Sequence, residues 1–161
     1  MNSPERGIQE IKAAIQNWKE IKARLGLSFF YMLLGEAYLG GGQWDEGLRI
    51  LEEAETAMAD TQERTYLPAL YWLKGHFLYQ SSEDREQAKY WLQESIRIAQ
   101  DQQAYLFSIR AALDLSKILH QEGQTGQALD LVQSIYSNDN HAPDQVEARR
   151  LISRFQKISS T

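Results

Sequence analysis

The sequence predicts an all-α fold: a solenoid of stacked helical hairpins, about eight helices in a single domain spanning residues 1–161. Three observations carry this expectation. Apolar residues recur at helical spacing in nearly every segment, no stretch keeps up a two-residue alternation, and small residues return every 40 or 41 positions.

Taken in order, Ile8, Ile11, Ile15, Trp18 and Ile21 form a first stripe that ends near Gly26. Phe30, Leu33, Leu34, Ala37 and Tyr38 form the second and run into the glycines. Leu48, Leu51, Ala54 and Met58 mark the third helix, with Asp45 as its expected N-cap. Leu70, Leu73, Phe77 and Leu78 mark the fourth, where Pro68 is tolerable because it falls in the first turn. Ala88, Trp91, Leu92, Ile96 and Ala99 make the fifth. Leu106, Ile109, Leu113, Ser116 and Leu119 make the sixth, which ends at "HQEGQTG". Thr125 is the expected cap of a seventh carrying Ala128, Leu131, Val132 and Ile135. An eighth starts around Pro143 with Val146, Leu151, Ile152 and Phe155.

The repeat is legible in the small residues. Gly35, Gly75 and Ser116 are spaced 40 and 41 apart; Gly47, Ala88 and Ala128 are spaced 41 and 40; Gly7 lies 40 before Gly47. The expected division is a half repeat at 7–26, repeats at 28–61, 65–103 and 105–137, and a capping helix at 143–158. A lone hairpin cannot bury its apolar face, whereas stacked neighbours can.

Within the units the residues resemble a tetratricopeptide (TPR) repeat. Tyr31, Leu34, Gly35, Tyr38, Gly47, Leu51 and Ala54 follow its pattern, with Ala59 in place of the closing proline. The second unit keeps Tyr71, Gly75, Leu78, Ala88, Leu92 and Ser95 but has Lys74 where Leu is expected. The third keeps Leu115, Ser116, Leu119, Ala128 and Val132, with Ala112 at a usually bulky position. Small residues at the notches let the helices of a hairpin approach. The period exceeds the motif's ~34 residues by about one and a half turns, so longer helices are expected.

The stretch "GGGQWDEG" superficially suggests a phosphate loop, which needs Lys and Ser/Thr directly after its glycines and a preceding strand. Here a helix precedes it, and Gln43, Trp44, Asp45 and Glu46 follow. Its carboxylates would repel phosphate. It occupies the same place in its unit as "HQEGQTGQA" does in the third, so a helix stop and restart is expected. Nor is Trp44–Asp45 a propeller signature, since the strands that signature requires are absent.

"GIQEIKAAIQNWKEIKARLG", "LLGEAYLGGGQWDEGLRILEEAE", "YLPALYWLKGHFLYQ", "QAKYWLQESIRIAQDQQAYLFSIRAALDLSKIL" and "GQTGQALDLVQSIY" resemble, in order, a bacterial C-terminal repeat region over residues 7–155. That region follows an AAA/STAND-type ATPase module in large signalling proteins, many of which begin with an adenylate or guanylate cyclase, a kinase or a DNA-binding domain. The resemblance implies a right-handed superhelix and a sensor or scaffold arm that engages protein partners or its own ATPase. It transfers no ATPase or cyclase activity, because the residues for those reactions are not here. An aromatic, glycine-rich segment common in such regions after the equivalent of Tyr136 is replaced by "SNDNHAPDQVEARRLI". Starting half a repeat in suggests a fragment of a longer protein or a truncated relative.

The usual inward positions of the family place Phe29, Met32, Glu36 and Leu39, then Trp72, His76 and Tyr79, then Arg110, Leu113, Lys117 and His120 on the concave face. This wall should grade from apolar and acidic through aromatic to basic, suiting an extended segment or a helix with an acidic end, with Trp72, Tyr79 and Arg110 as anchors. Phe29, Met32 and Leu39 equally suit packing against a missing half repeat or a second copy. The alternative function is therefore a homodimer stacking through its open ends.

Chemistry is not indicated. His76, His120 and His141 stand alone in sequence; His76 and His120 fall on corresponding faces, but ordinary wall residues are expected rather than a zinc site. Glu52/Glu53 and Asp45/Glu46 are adjacent and diverge around a helix, and no serine sits in a nucleophile elbow. The four tryptophans and eight tyrosines are expected mostly in the core. No catalytic residue, cofactor or metal is expected. A net charge of −5 disfavours nucleic acid, and the basic Arg149, Arg150, Arg154 and Lys157 read as the solvated face of a last helix. With no cysteine, no membrane-length apolar run and no secretory signal, a cytoplasmic location is the default.

Overall fold

Four times along the chain the same left-handed residue ends a helix: Lys22 (φ 55°), Gly42 (φ 66°), Gln103 (φ 58°) and Gly123 (φ 81°). Each time its N–H donates to the carbonyl three residues back, and the next N–H donates five residues back. Gly42 bonds Leu39 O and Gln43 bonds Tyr38 O; Gly123 bonds His120 O and Gln124 bonds Leu119 O. This is the Schellman arrangement, which satisfies carbonyls orphaned at a helix end. Glycine enters it without the ~1–2 kcal/mol that a Cβ costs. "GGGQWDEG" is therefore a hairpin bend built like its counterpart at residues 120–124.

The computed structural model describes residues 4–23, 25–59, 61, 63–81, 84–136 and 143–159. Among them are eight helices and no strand: α1 (Pro4–Glu20), α2 (Leu27–Gly41), α3 (Trp44–Ala59), α4 (Leu67–Ser81), α5 (Arg85–Asp101), α6 (Tyr105–Gln121), α7 (Thr125–Ile135) and α8 (Pro143–Ser159). Helices α2 to α6 run 15 to 17 residues, as the long period requires, whereas α7 has 11.

The bends are so tight that both expected caps fall inside their helices. α3 starts at Trp44, so Asp45 lies in its first turn. α7 starts at Thr125 itself, whose hydroxyl instead meets His120 Nδ1 at 3.0 Å. Asp84 does act as a side-chain cap, its carboxylate accepting from Gln87 N at 3.0 Å at the start of α5. Ile21 departs from expectation too: α1 has ended by then, and Ile21 is 69% exposed.

Each helix packs on the next, and α2, α4, α6 and α8 also pack side by side; α1, α3, α5 and α7 do not pack on one another. Long side chains do cross between them, as from Lys19 to Glu53 at 3.8 Å. A stack that touches along one row of helices and splays along the other must curve toward the touching row. The even helices are thus the inner layer.

Helix α4 is buried on nearly every side: Pro68, Ala69, Leu70, Trp72, Leu73, Gly75, Phe77 and Leu78 are all covered. Its side chains enter the notches of its neighbours. A Cβ on Gly35 would stand 2.7 Å from Leu73 Cδ1, and one on Gly47 would stand 2.5 Å from Phe77 Cε2. Gly75 itself receives Leu92 Cγ at 2.6 Å and Ala88 O at 3.0 Å from such a Cβ. Only Gly75 therefore closes its own hairpin as expected; Gly35 and Gly47 admit the next one. Gly7, in register with Gly47, meets nothing within 4 Å. Lys74, at a position where Leu was expected, bonds Glu55 at 2.7 Å and lies 4.1 Å above the Trp91 ring, so its stem stays packed while its charge is satisfied.

One substitution should consequently have opposite signs at two sites. Gly75→Ala regains about 1 kcal/mol of helix propensity but overpacks against a branched carbon and a backbone oxygen at a cost of about 1–3 kcal/mol, a net loss. Gly7→Ala, in open space, should stabilise by about 0.5–1 kcal/mol. Urea denaturation of both variants checks this.

Candidate functional site

The inner layer carries its own electrostatic network. Asp114, 6% exposed on α6, accepts from the Trp72 indole N–H at 3.0 Å and from His76 Nδ1 at 2.7 Å, both on α4. Lys117 Nζ stands 3.5 Å from its other oxygen. Burial pushes the Asp114 carboxyl up, but the His76 hydrogen bond and charge, Lys117 and the Trp72 indole together outweigh it and hold the carboxyl below its usual value. Asp114 thus ties α4 to α6 through a buried charge satisfied on each side.

A second strap joins all four inner helices. Arg110 on α6 bonds Glu36 on α2 at 2.8 Å, passes 4.9 Å from the Trp72 ring centre on α4, and reaches Asp144 on α8 at 3.5 Å. A side chain of α6 can touch α2 directly only where the curve is tight.

These contacts determine where each expected wall residue lies. Met32, Trp72 and Leu113 are 7%, 6% and 4% exposed. They are packing residues, so Trp72 is not an open anchor. Glu36, His76, Arg110 and Lys117 are partly exposed but engaged in the two networks. The expected grade from acidic to basic is largely neutralised internally, because Glu36 faces Arg110 rather than solvent alone. Phe29 is 37% exposed and packs edge-on to Phe30 (5.8 Å) and against Tyr66 (5.3 Å). Leu39 and Tyr79 are half-buried, with the Tyr79 oxygen accepting from Gln121 at 2.7 Å. His120 stacks on Phe155 of α8 at 4.8 Å. His76 and His120 are therefore engaged separately, and His141 lies outside the described residues. Among the described residues no group of three or more His, Asp or Glu is placed to hold a metal ion.

Comparison with known proteins gives a fold and no closer relative. No family model matches the sequence, and no curated protein matches it significantly. Two solved structures superpose over nearly the whole chain. One is a protein of Podosopora anserina described as a kinesin light chain with nearly identical TPR-like repeats: TM-score 0.71, 14% identity, 98% of this chain and 79% of that one. The other is a single-substitution variant of it, with TM-score 0.73, 12% identity and the same coverage. The fold is a TPR-like solenoid.

As a right-handed TPR-like superhelix, the stack has its even helices on the concave side. Helix α8 extends that series, packing on α6 as α6 packs on α4. Its Ala148, Leu151 and Phe155 share a core with Leu113, Ala128 and Val132. Sequence reading missed Asp114 and Asp144: an acidic residue mid-helix looks like a solvated face until its neighbours are known. The one available signal was that Asp114 stands where Leu33 and Leu73 stand in the earlier units, an apolar register position.

No described helix is long and apolar enough to cross a membrane. The inner wall holds a carboxylate–histidine pair, Asp114 with His76.

Asp114→Ala should cost about 3–5 kcal/mol, since it strands the buried indole N–H and the His76 ring nitrogen and takes from Lys117 one of its two carboxylates. The pH dependence has a defined sign. A carboxyl lowered in the folded state contributes stability that is present above its unfolded value near 3.8 and drains as pH falls through the folded value. Between about pH 4 and 2, wild type should lose stability more steeply than Asp114→Asn in acid-titrated urea melts.

Proposed function

We propose that this chain is a non-catalytic protein-binding module that holds a peptide or a partner domain along its inner helices. The observation that carries the reading is a contrast between register positions. Packing notches keep one character through the units: Gly35, Gly75 and Ser116, or Gly47, Ala88 and Ala128. Of the inner-face positions, the buried one (Met32, Trp72, Leu113) stays apolar, but the other three change chemistry at every step. Glu36 becomes His76 and then Lys117, Leu39 becomes Tyr79 and then His120, and Phe29 becomes Ala69 and then Arg110. A face serving only to stack would be expected to repeat as its notches do. Unequal chemistry on equal geometry suits recognition of an unequal partner.

The resemblance of residues 7–155 to repeat regions of AAA/STAND-type ATPases and cyclases supports placing such a module in the regulatory or sensor part of a signalling protein, in a bacterial cytoplasm. The net charge of −5 favours a protein partner over nucleic acid. The repeats at 28–61, 65–103 and 105–137 would then each add one inner helix to the recognition surface.

A second reading rests on the α1–α2 end, where Ile21, Leu25 and Phe29 are 69%, 72% and 37% exposed. Those side chains suit end-to-end stacking of two copies. In light scattering at high micromolar concentration the binding-module reading expects a monomer; a dimer abolished by Leu25→Asp would establish the stacking reading instead.

Phe29→Ser combined with Glu36→Gln removes an exposed apolar wall residue and one end of the strap while Arg110 keeps Asp144. Affinity capture with quantitative mass spectrometry should show partner recovery falling about tenfold, with the circular dichroism spectrum unchanged. Undiminished recovery by the folded variant would count against the inner-face site.

A further inference from the structure

Among the described residues, internal pairing loosens at a cleft of about 200 Å³ where the C-terminal turns of α4 and α6 meet the middle of α8. We propose that it is a subsite for the side-chain carboxylate of a partner's Asp or Glu, with Arg154 as the cation that completes it. This deepens the protein-binding reading and rests on it.

Size is the first constraint. At about 200 Å³ the cleft is smaller than the ~300–1,000 Å³ of pockets that enclose a whole small molecule, so it suits a single side chain. Its floor is apolar, formed by Leu151 and Phe155, and would receive methylenes. Its rim is rich in donors. The Tyr79 oxygen already accepts from Gln121, which leaves its own O–H free to donate. Lys117 keeps two loose contacts, 3.5 Å to Asp114 and 3.7 Å to Glu147, both longer than the ~2.7–2.9 Å of a strong charge-assisted bond. Its ammonium therefore has donor capacity left over.

Arg154 decides the sign of the charge. It makes no ion pair among the described residues and is exposed on α8. Glu147 is the one carboxylate lining the cleft, and it is divided between Lys117 at 3.7 Å and Arg150 at 3.9 Å. With that acid offset by Lys117, the guanidinium leaves the cleft net positive in a chain whose total charge is −5. Arg154 also lines a broad depression on the outer side of α8, together with Arg149, Arg150 and Lys157. A partner with further acidic residues beyond the anchor would thus remain in favourable field.

The test uses two fluorescein-labelled, C-terminally amidated probes, hexaglutamate and hexaglutamine, read by fluorescence anisotropy on the full chain at low ionic strength. Hexaglutamate should bind and hexaglutamine should not. Arg154→Gln should weaken hexaglutamate at least about tenfold, and Lys157→Gln by about twofold or less. Equal losses in the two variants would reveal a diffuse basic surface and overturn the subsite, as would no binding of hexaglutamate or equal binding of hexaglutamine. Partner capture that persists in wild type while hexaglutamate fails would sink the subsite alone. Capture unaffected by the Phe29/Glu36 variant would sink the broader reading.

Discussion

Close approach at the notches of α2, α3 and α4 is the constraint on which the rest of the molecule depends. Leu73 and Phe77 fill spaces that exist only because Gly35 and Gly47 lack side chains, and Leu92 fills the space left by Gly75. These contacts draw three helices, α2, α3 and α5, onto α4 from different directions. Without them α4 would present apolar surface on every face and could not sit stably in a two-layer stack. Because the contacts lie between units as well as within one, the hairpins are coupled rather than independent, as expected of a quasi-one-dimensional solenoid.

Curvature follows from the same packing, and the inner wall inherits its geometry. Once the even helices touch, residues two hairpins apart come within reach, and Arg110 finds Glu36. Burial of Trp72 beneath that guanidinium then forces its N–H to find an acceptor, which Asp114 provides. A buried carboxylate in turn requires cations or donors, supplied by His76 and Lys117. Each polar element of the wall answers a demand created by the one before, starting from a steric fact about glycine.

Much of this was legible in the sequence because it is periodic. Helix number and the bend at "GGGQWDEG" follow from local rules of spacing and backbone conformation, and both hold, whereas the notches of Gly35 and Gly47 admit the next hairpin rather than their own and Gly7 stands in open space. Legibility ended where two or three units meet. Nothing local to Asp114 says that an indole and an imidazole will converge on it, and nothing local to Arg110 says that an acid 74 residues away will pair with it. The caps at Asp45 and Thr125 were misplaced for a smaller reason. A Schellman ending followed at once by a new helix leaves no room for a separate capping residue, so each falls inside its helix. Burial of some wall residues was missed for a larger one: in a strongly curved stack the inward positions nearest the neighbouring unit become core. Trp72 and Leu113 are examples.

A repeat protein must reconcile stacking with recognition, and here the two are separated along the wall. Toward α2 the inward side chains neutralise one another, so the curve is locked and little charge remains for a partner. Toward α8 the pairing loosens: Lys117 contacts lengthen to 3.5 and 3.7 Å, and Arg154 has no carboxylate partner among the described residues. A charge held at 2.8 Å, as between Arg110 and Glu36, has already exchanged hydration for an internal contact. Unpaired charge at a cleft has not, so it can still complete that exchange with an incoming group. Specificity in such a fold need not lie at the centre of the concave face; it can lie where the internal network ends.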